Sequence, residues 1–164
     1  MINLKLKIFQ NQNLKNKEKY EGNNNTKNQT ATYEEAMLFY KRLAAQHNTL
    51  EIKEMGLTDS GEPLHMVIYD GTKKFEFENT TQAKVLINNS IHPGEPDGND
   101  ASLMYLRDLA TSKIIVPKNT LVVVIPAYNI GGTLNRNSFS RANQNGPEAY
   151  GFRGNARNYE LNRD

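Results

Sequence analysis

The stretch "SIHPGE" sets His92 three residues before Glu95, with Pro93 and Gly94 between them. Imidazole nitrogen and carboxylate oxygen are both ligands for a divalent ion, and a catalytic zinc takes three such protein ligands while keeping one position for water. This segment can supply two. Pro93, Gly94, Pro96 and Gly98 oppose a continuous helix here, so the two side chains must converge from a loop. The same spacing also builds an ordinary turn in which an acid and an imidazole meet at the surface. The chain has no cysteine, so a bound metal has to be held by His, Asp or Glu. Of the other histidines, His47 falls at a predicted helix end and is expected to be solvated; His65 falls in a predicted strand as an ordinary strand residue.

Arginines crowd the last part of the chain: Arg136, Arg141, Arg153, Arg157 and Arg163. Guanidinium forks bind carboxylates through paired hydrogen bonds and stabilise developing oxyanions. A metal loop followed by such groups suits an enzyme working beside a substrate carboxylate. The competing reading is a basic loop for nucleic acid. Only Phe139, Tyr150, Phe152 and Tyr159 are interleaved there and the net charge is +2, so no nucleic-acid partner is expected.

These residues need elements to position them. At 164 residues the chain can bury one sizeable core. Residues 11–30 are dominated by Asn and Lys and carry too little apolar surface to offset their ordering entropy, so residues 1–31 are read as a disordered Asn/Lys-rich lead-in. Within it Ile2, Leu4, Leu6 and Ile8 alternate, which suits a short half-buried strand or a chance pattern in a tail. The opening lacks the continuous apolar stretch of a secretory signal, and no run of about 18 apolar residues is present to span a membrane.

Residues 32–164 are read as one domain. "TYEE" forms a capping box with Thr32 as N-cap and Glu35 three residues on, opening a helix to about Gln46. Residues 50–58 and 63–71 form a hairpin around "DSGE". "AKVLINN" (83–89) is expected to be a buried central strand, residues 100–112 a helix, and 119–129 a second central strand ended by Pro126. A long Gly/Asn/Arg-rich segment without periodicity follows. This order predicts an α/β fold, a mixed sheet with a parallel core flanked by helices. Ligands of such sheets gather beyond the carboxyl ends of the strands, where "SIHPGE" and "NIGGTLNRNSFSR" both fall.

Three stretches in this order, "HPGEPDGNDASLMYLRDL", "VVVIPAYNIGG" and "SRANQNGPEAYGFRGNARNYELNRD", together resemble the zinc metallocarboxypeptidases, or funnelins, in their bacterial form. The resemblance covers residues 32–164 and implies a truncated zinc-carboxypeptidase-like (phosphorylase/hydrolase-like) domain. It implies that His92 and Glu95 are the first two Zn2+ ligands, that Arg153 stabilises the oxyanion, and that Asn162 and Arg163 grip the terminal carboxylate of a peptide or amide substrate. Arg157 is a second candidate for substrate contact, and Arg141 would shape a loop or line a subsite. The family's third zinc ligand, a His, and its general-base Glu would lie beyond Asp164. The resemblance therefore implies the N-terminal part of a catalytic domain, with zinc bound weakly or not at all, negligible peptidase activity, an uncovered apolar face and open strand edge, and marginal stability or self-association. Pro96 replaces the apolar residue common in relatives, and "NIGG" lacks the acid many carry in that turn. Two alternatives stay open: a non-catalytic fragment that binds peptide carboxylates, and a related zinc acyl-amino-acid amidohydrolase. Members are often exported, which leaves localisation unassigned here.

Overall fold

Thr32 opens the first helix through both halves of its capping box. Its hydroxyl accepts the Glu35 N–H at 3.2 Å, while the Glu35 carboxylate accepts the Thr32 N–H at 2.9 Å. Such a cap is worth about 1 kcal/mol. In the computed structural model, which describes residues 29–78 and 80–163, this helix is α1, Tyr33–Gln46. It is followed by β1 (Leu50–Leu57), β2 (Pro63–Asp70), β3 (Ala83–Asn88), α2 (Asp97–Ala110), β4 (Thr120–Ile125) and the short α3 (Ile130–Leu134). The alternating opening segment and residues 11–28 of the expected lead-in lie outside the described residues. Burial begins at Thr30 and Ala31, slightly ahead of the expected boundary, where Thr30 Oγ1 donates to Asp100 of α2 at 2.7 Å.

The sheet has the order β1-β2-β4-β3. β1 and β2 form the expected antiparallel hairpin, β2 runs antiparallel to β4, and β3 with β4 is the parallel pair. Side chains alternate across the central strands. Val67, Val122 and Val124 turn toward a core completed by Met37, Tyr40 and Leu43 of α1 and Leu103, Leu106 and Leu109 of α2. Ile68, Leu121 and Val123 turn to the opposite face, where Phe75 and Phe77 of the β2–β3 connection cover them. That connection is tied to the end of β2 by Asp70, a fully buried carboxylate that accepts the N–H groups of Thr72, Lys74 and Phe75 at 2.8–3.1 Å and the Gln82 amide at 3.0 Å.

β3 departs from expectation. It was expected to be central and buried, yet among the described residues it is an edge strand, with Val85 43% and Leu86 62% exposed. A short aliphatic run reads the same whether its second flank is covered or open, which is why its composition misleads. β4 is a central strand, as expected, beside β2, and ends at Ile125 directly before Pro126. α3 was not foreseen. Asn129 caps it by accepting the Gly132 N–H at 2.8 Å, a signal present in the sequence as Asn before a short turn.

Candidate functional site

The loops leaving β3 and β4 are joined at their roots. Asn89 donates to Ile125 at 3.1 Å, and Tyr128 and Asn129 donate to Asn89 and Ser90 at 2.9 and 3.1 Å. Beyond this junction the His92–Glu95 loop turns on the Glu95 N–H, which donates to the His92 carbonyl at 2.9 Å. The late segment docks on the same loop. Gly151 donates to the Pro93 carbonyl at 3.2 Å and Phe152 to Gly132 at 2.8 Å, while the Asn129 amide holds the Arg153 carbonyl at 3.0 Å. Contact is too close for a side chain: a Cβ on Gly132 would stand 2.4 Å from the Phe152 carbonyl oxygen and 2.6 Å from that of Gly154. Arg153 is thereby brought beside His92, although the two are far apart in sequence.

Glu160 joins them. Its Oε1 lies 3.0 Å from His92 Nε2, and its Oε2 accepts from Arg153 Nη2 at 3.0 Å. Arg163 Nε approaches Oε2 at 4.0 Å, and the Asn162 N–H donates to Oε1 at 2.9 Å. Partial burial pushes the Glu160 carboxyl upward, but the Asn162 N–H, the His92 ring and the Arg153 guanidinium outweigh it and hold the group at about 2. Glu160 is therefore ionised at neutral pH. An ionised carboxylate can only accept, so His92 Nε2 is the donor of this bond, and Nδ1 is the ring nitrogen on the side of Glu95.

Nδ1 stands 3.7 Å from Glu95 Oε1. Zinc bonded to one nitrogen and one oxygen at about 2.0–2.1 Å and tetrahedral angles would hold them about 3.3 Å apart, so these two donors fit such an ion within a few tenths of an ångström. No cluster of three His, Cys, Asp or Glu groups able to hold a metal occurs among the described residues. His92 and Glu95, the pair picked out by their spacing, face one another across one turn.

The other site candidates divide. Arg141, expected only to shape a loop or line a subsite, donates from Nη2 to Glu95 Oε1 at 2.5 Å and from Nη1 to Gln144 at 2.6 Å. Asn162 and Arg163 are exposed beside the cluster, and Asn162 joins it through its backbone. Arg157 is exposed and contributes its backbone N–H to Asn155 Oδ1 at 3.0 Å, away from the Glu160 cluster's bonds. His65 meets the Tyr33 hydroxyl at 3.4 Å; burial, aided by Lys41, lowers its pKa. Sequence reasoning missed Glu160, whose one local signal is its place two residues before Asn162 in "NYELNRD".

Neither a protein-family model nor a curated protein matches the sequence. Solved structures do. Carboxypeptidase A from Helicoverpa armigera superposes at a TM-score of 0.59 and 17% identity, over 76% of this chain and 33% of that one. A metallo-carboxypeptidase from Burkholderia cenocepacia gives 0.59 and 20%, over 81% and 32%. Bovine thrombin-activatable fibrinolysis inhibitor gives 0.52 and 15%, over 65% and 33%. The fold is that of the metallocarboxypeptidases. The chain spans about a third of the length of these structures. The described residues comprise a four-stranded sheet and the loops that carry His92, Glu95, Arg153 and Arg163.

Proposed function

We propose that this chain carries part of the active site of a zinc-dependent, metallocarboxypeptidase-like hydrolase, acting on a peptide or amide substrate with a free terminal carboxylate. The observation that carries the reading is the Glu160 carboxylate, which binds the proposed ligand His92 through one oxygen and the proposed oxyanion residue Arg153 through the other. The resemblance in three ordered sequence stretches supports it independently.

His92, through Nδ1, and Glu95, through Oε1, would hold the ion. Zinc so bound would polarise a carbonyl and lower the pKa of bound water toward neutrality. Glu160 keeps the His92 proton on Nε2 and fixes the ring, the arrangement that raises a ligand's basicity. Arg153 stands ready for the negative charge that forms on the carbonyl oxygen. Arg163 and Asn162, exposed beside it, would receive the terminal carboxylate and so restrict cleavage to the last bond, with Arg157 as a further contact from the rim. The third metal ligand and the general base are not among the assigned residues, and negligible hydrolysis by this chain alone is the expected outcome; a carboxylate-binding role without catalysis is the second reading.

Binding tests the substrate half directly. A short peptide with a free terminal carboxylate should bind the chain, its amidated twin should not, and Arg163→Met should weaken the first about tenfold or more. Equal binding of the two peptides would exclude this role for Arg163. For the metal half, saturable Zn2+ binding should vanish in His92→Ala; unchanged binding would remove His92 from the site.

A further inference from the structure

The oxygen of Glu95 that faces His92 is the one Arg141 holds. Arg141 Nη2 lies 2.5 Å from Oε1, the atom 3.7 Å from His92 Nδ1. The guanidinium is also anchored on the far side: Nη1 donates to Gln144 at 2.6 Å, and Gln144 returns a bond to the Gly94 carbonyl at 2.7 Å. Gly94 is what permits the crossing, since a Cβ there would stand 2.6 Å from Arg141 Cδ and 2.7 Å from Nε. The Arg141 N–H is tied to the hydroxyl of buried Tyr150 at 3.1 Å, so the backbone is held by a bond that does not involve the guanidinium.

We propose that Arg141 is a latch on the metal loop, a positioning residue whose guanidinium competes with a divalent cation for Oε1 of Glu95. Two cations sharing one oxygen stand only a few ångströms apart and repel, so an ion seated between His92 and Glu95 displaces the guanidinium. The inference rests on the metal-site reading above. The opposite role is that Arg141 braces a liganded Glu95, as partners of ligating carboxylates commonly do. The two roles predict opposite signs.

The test is calorimetric titration of the full 164-residue chain with Zn2+ alone. Arg141→Gln should bind about two- to fivefold tighter than the parent, within what an ion pair of this exposure can contribute. Gln144→Ala, which loosens the guanidinium without changing charge, should give a smaller gain, and either gain should vanish with His92→Ala. Tighter binding is not what mere loss of structure produces. In the parent, Zn2+ saturation should also speed amide exchange at Arg141 and Gln144. Equal or weaker binding by Arg141→Gln overturns the latch; should that variant fail to fold, Gln144→Ala decides by the same criterion. If the parent binds Zn2+ and the variants gain nothing, the latch alone falls. If no chain binds, the metal-site reading falls with it.

Discussion

Two carboxyls, Asp70 and Glu160, are held at about 2 against ordinary values of 3.8 and 4.5. For Asp70, burial opposes ionisation, and the Gln82 amide together with the N–H groups of Phe75 and Thr72 and the Thr72 hydroxyl overcomes it. Because both pKa values are depressed on folding, their stabilisation is complete above the unfolded values and is lost as pH falls from about 4.5 toward 2. Urea unfolding at pH 7, 4 and 2.5 should show this loss. Asp70→Asn should flatten the slope and cost about 2–3 kcal/mol at pH 7, since an amide turns N–H toward buried donors; an unchanged slope would remove Asp70 as its source. At this scale the sequence was legible where chemistry is local. His92 and Glu95 share one turn, and Thr32 with Glu35 one cap. Glu160 and Arg141 were opaque because their partners, His92 and Glu95, stand 68 and 46 residues away, and no short-range pattern encodes such a meeting.

The hairpin, the two longer helices and β4 followed from periodicity and turn residues, because each of those signals concerns neighbours along the chain. The position of β3 did not, since burial of an aliphatic strand depends on what lies across its second edge. Its exposed Val85 and Leu86 lie along a backbone edge with no strand partner among the described residues, the arrangement that invites pairing between copies. Sedimentation velocity should show concentration-dependent association of the chain. Leu86→Lys should shift it toward monomer with stability changed by no more than about 0.5 kcal/mol; undiminished association would place the contact elsewhere. α3 governs the site in a different way. Gly132→Ala should push away the Phe152–Gly154 backbone at a cost of about 2–3 kcal/mol and weaken Zn2+ binding through loss of the Glu160 anchor. A variant with parent stability would mean the close approach carries no strain.

Over the whole molecule, one sheet sets two loops at the carboxyl ends of its parallel pair, and a late segment folds back to bring guanidinium groups beside an imidazole and an acid. The superpositions report that scaffold, while the chemistry rests on the orientation of one ring. Imidazole nitrogen NMR during Zn2+ titration tests that orientation most directly. The account predicts that His92 Nδ1 shifts on binding while Nε2 stays protonated toward Glu160, with His47 and His65 unmoved. Metal bound through Nε2, or a His92 ring that does not respond at saturating Zn2+, would contradict it.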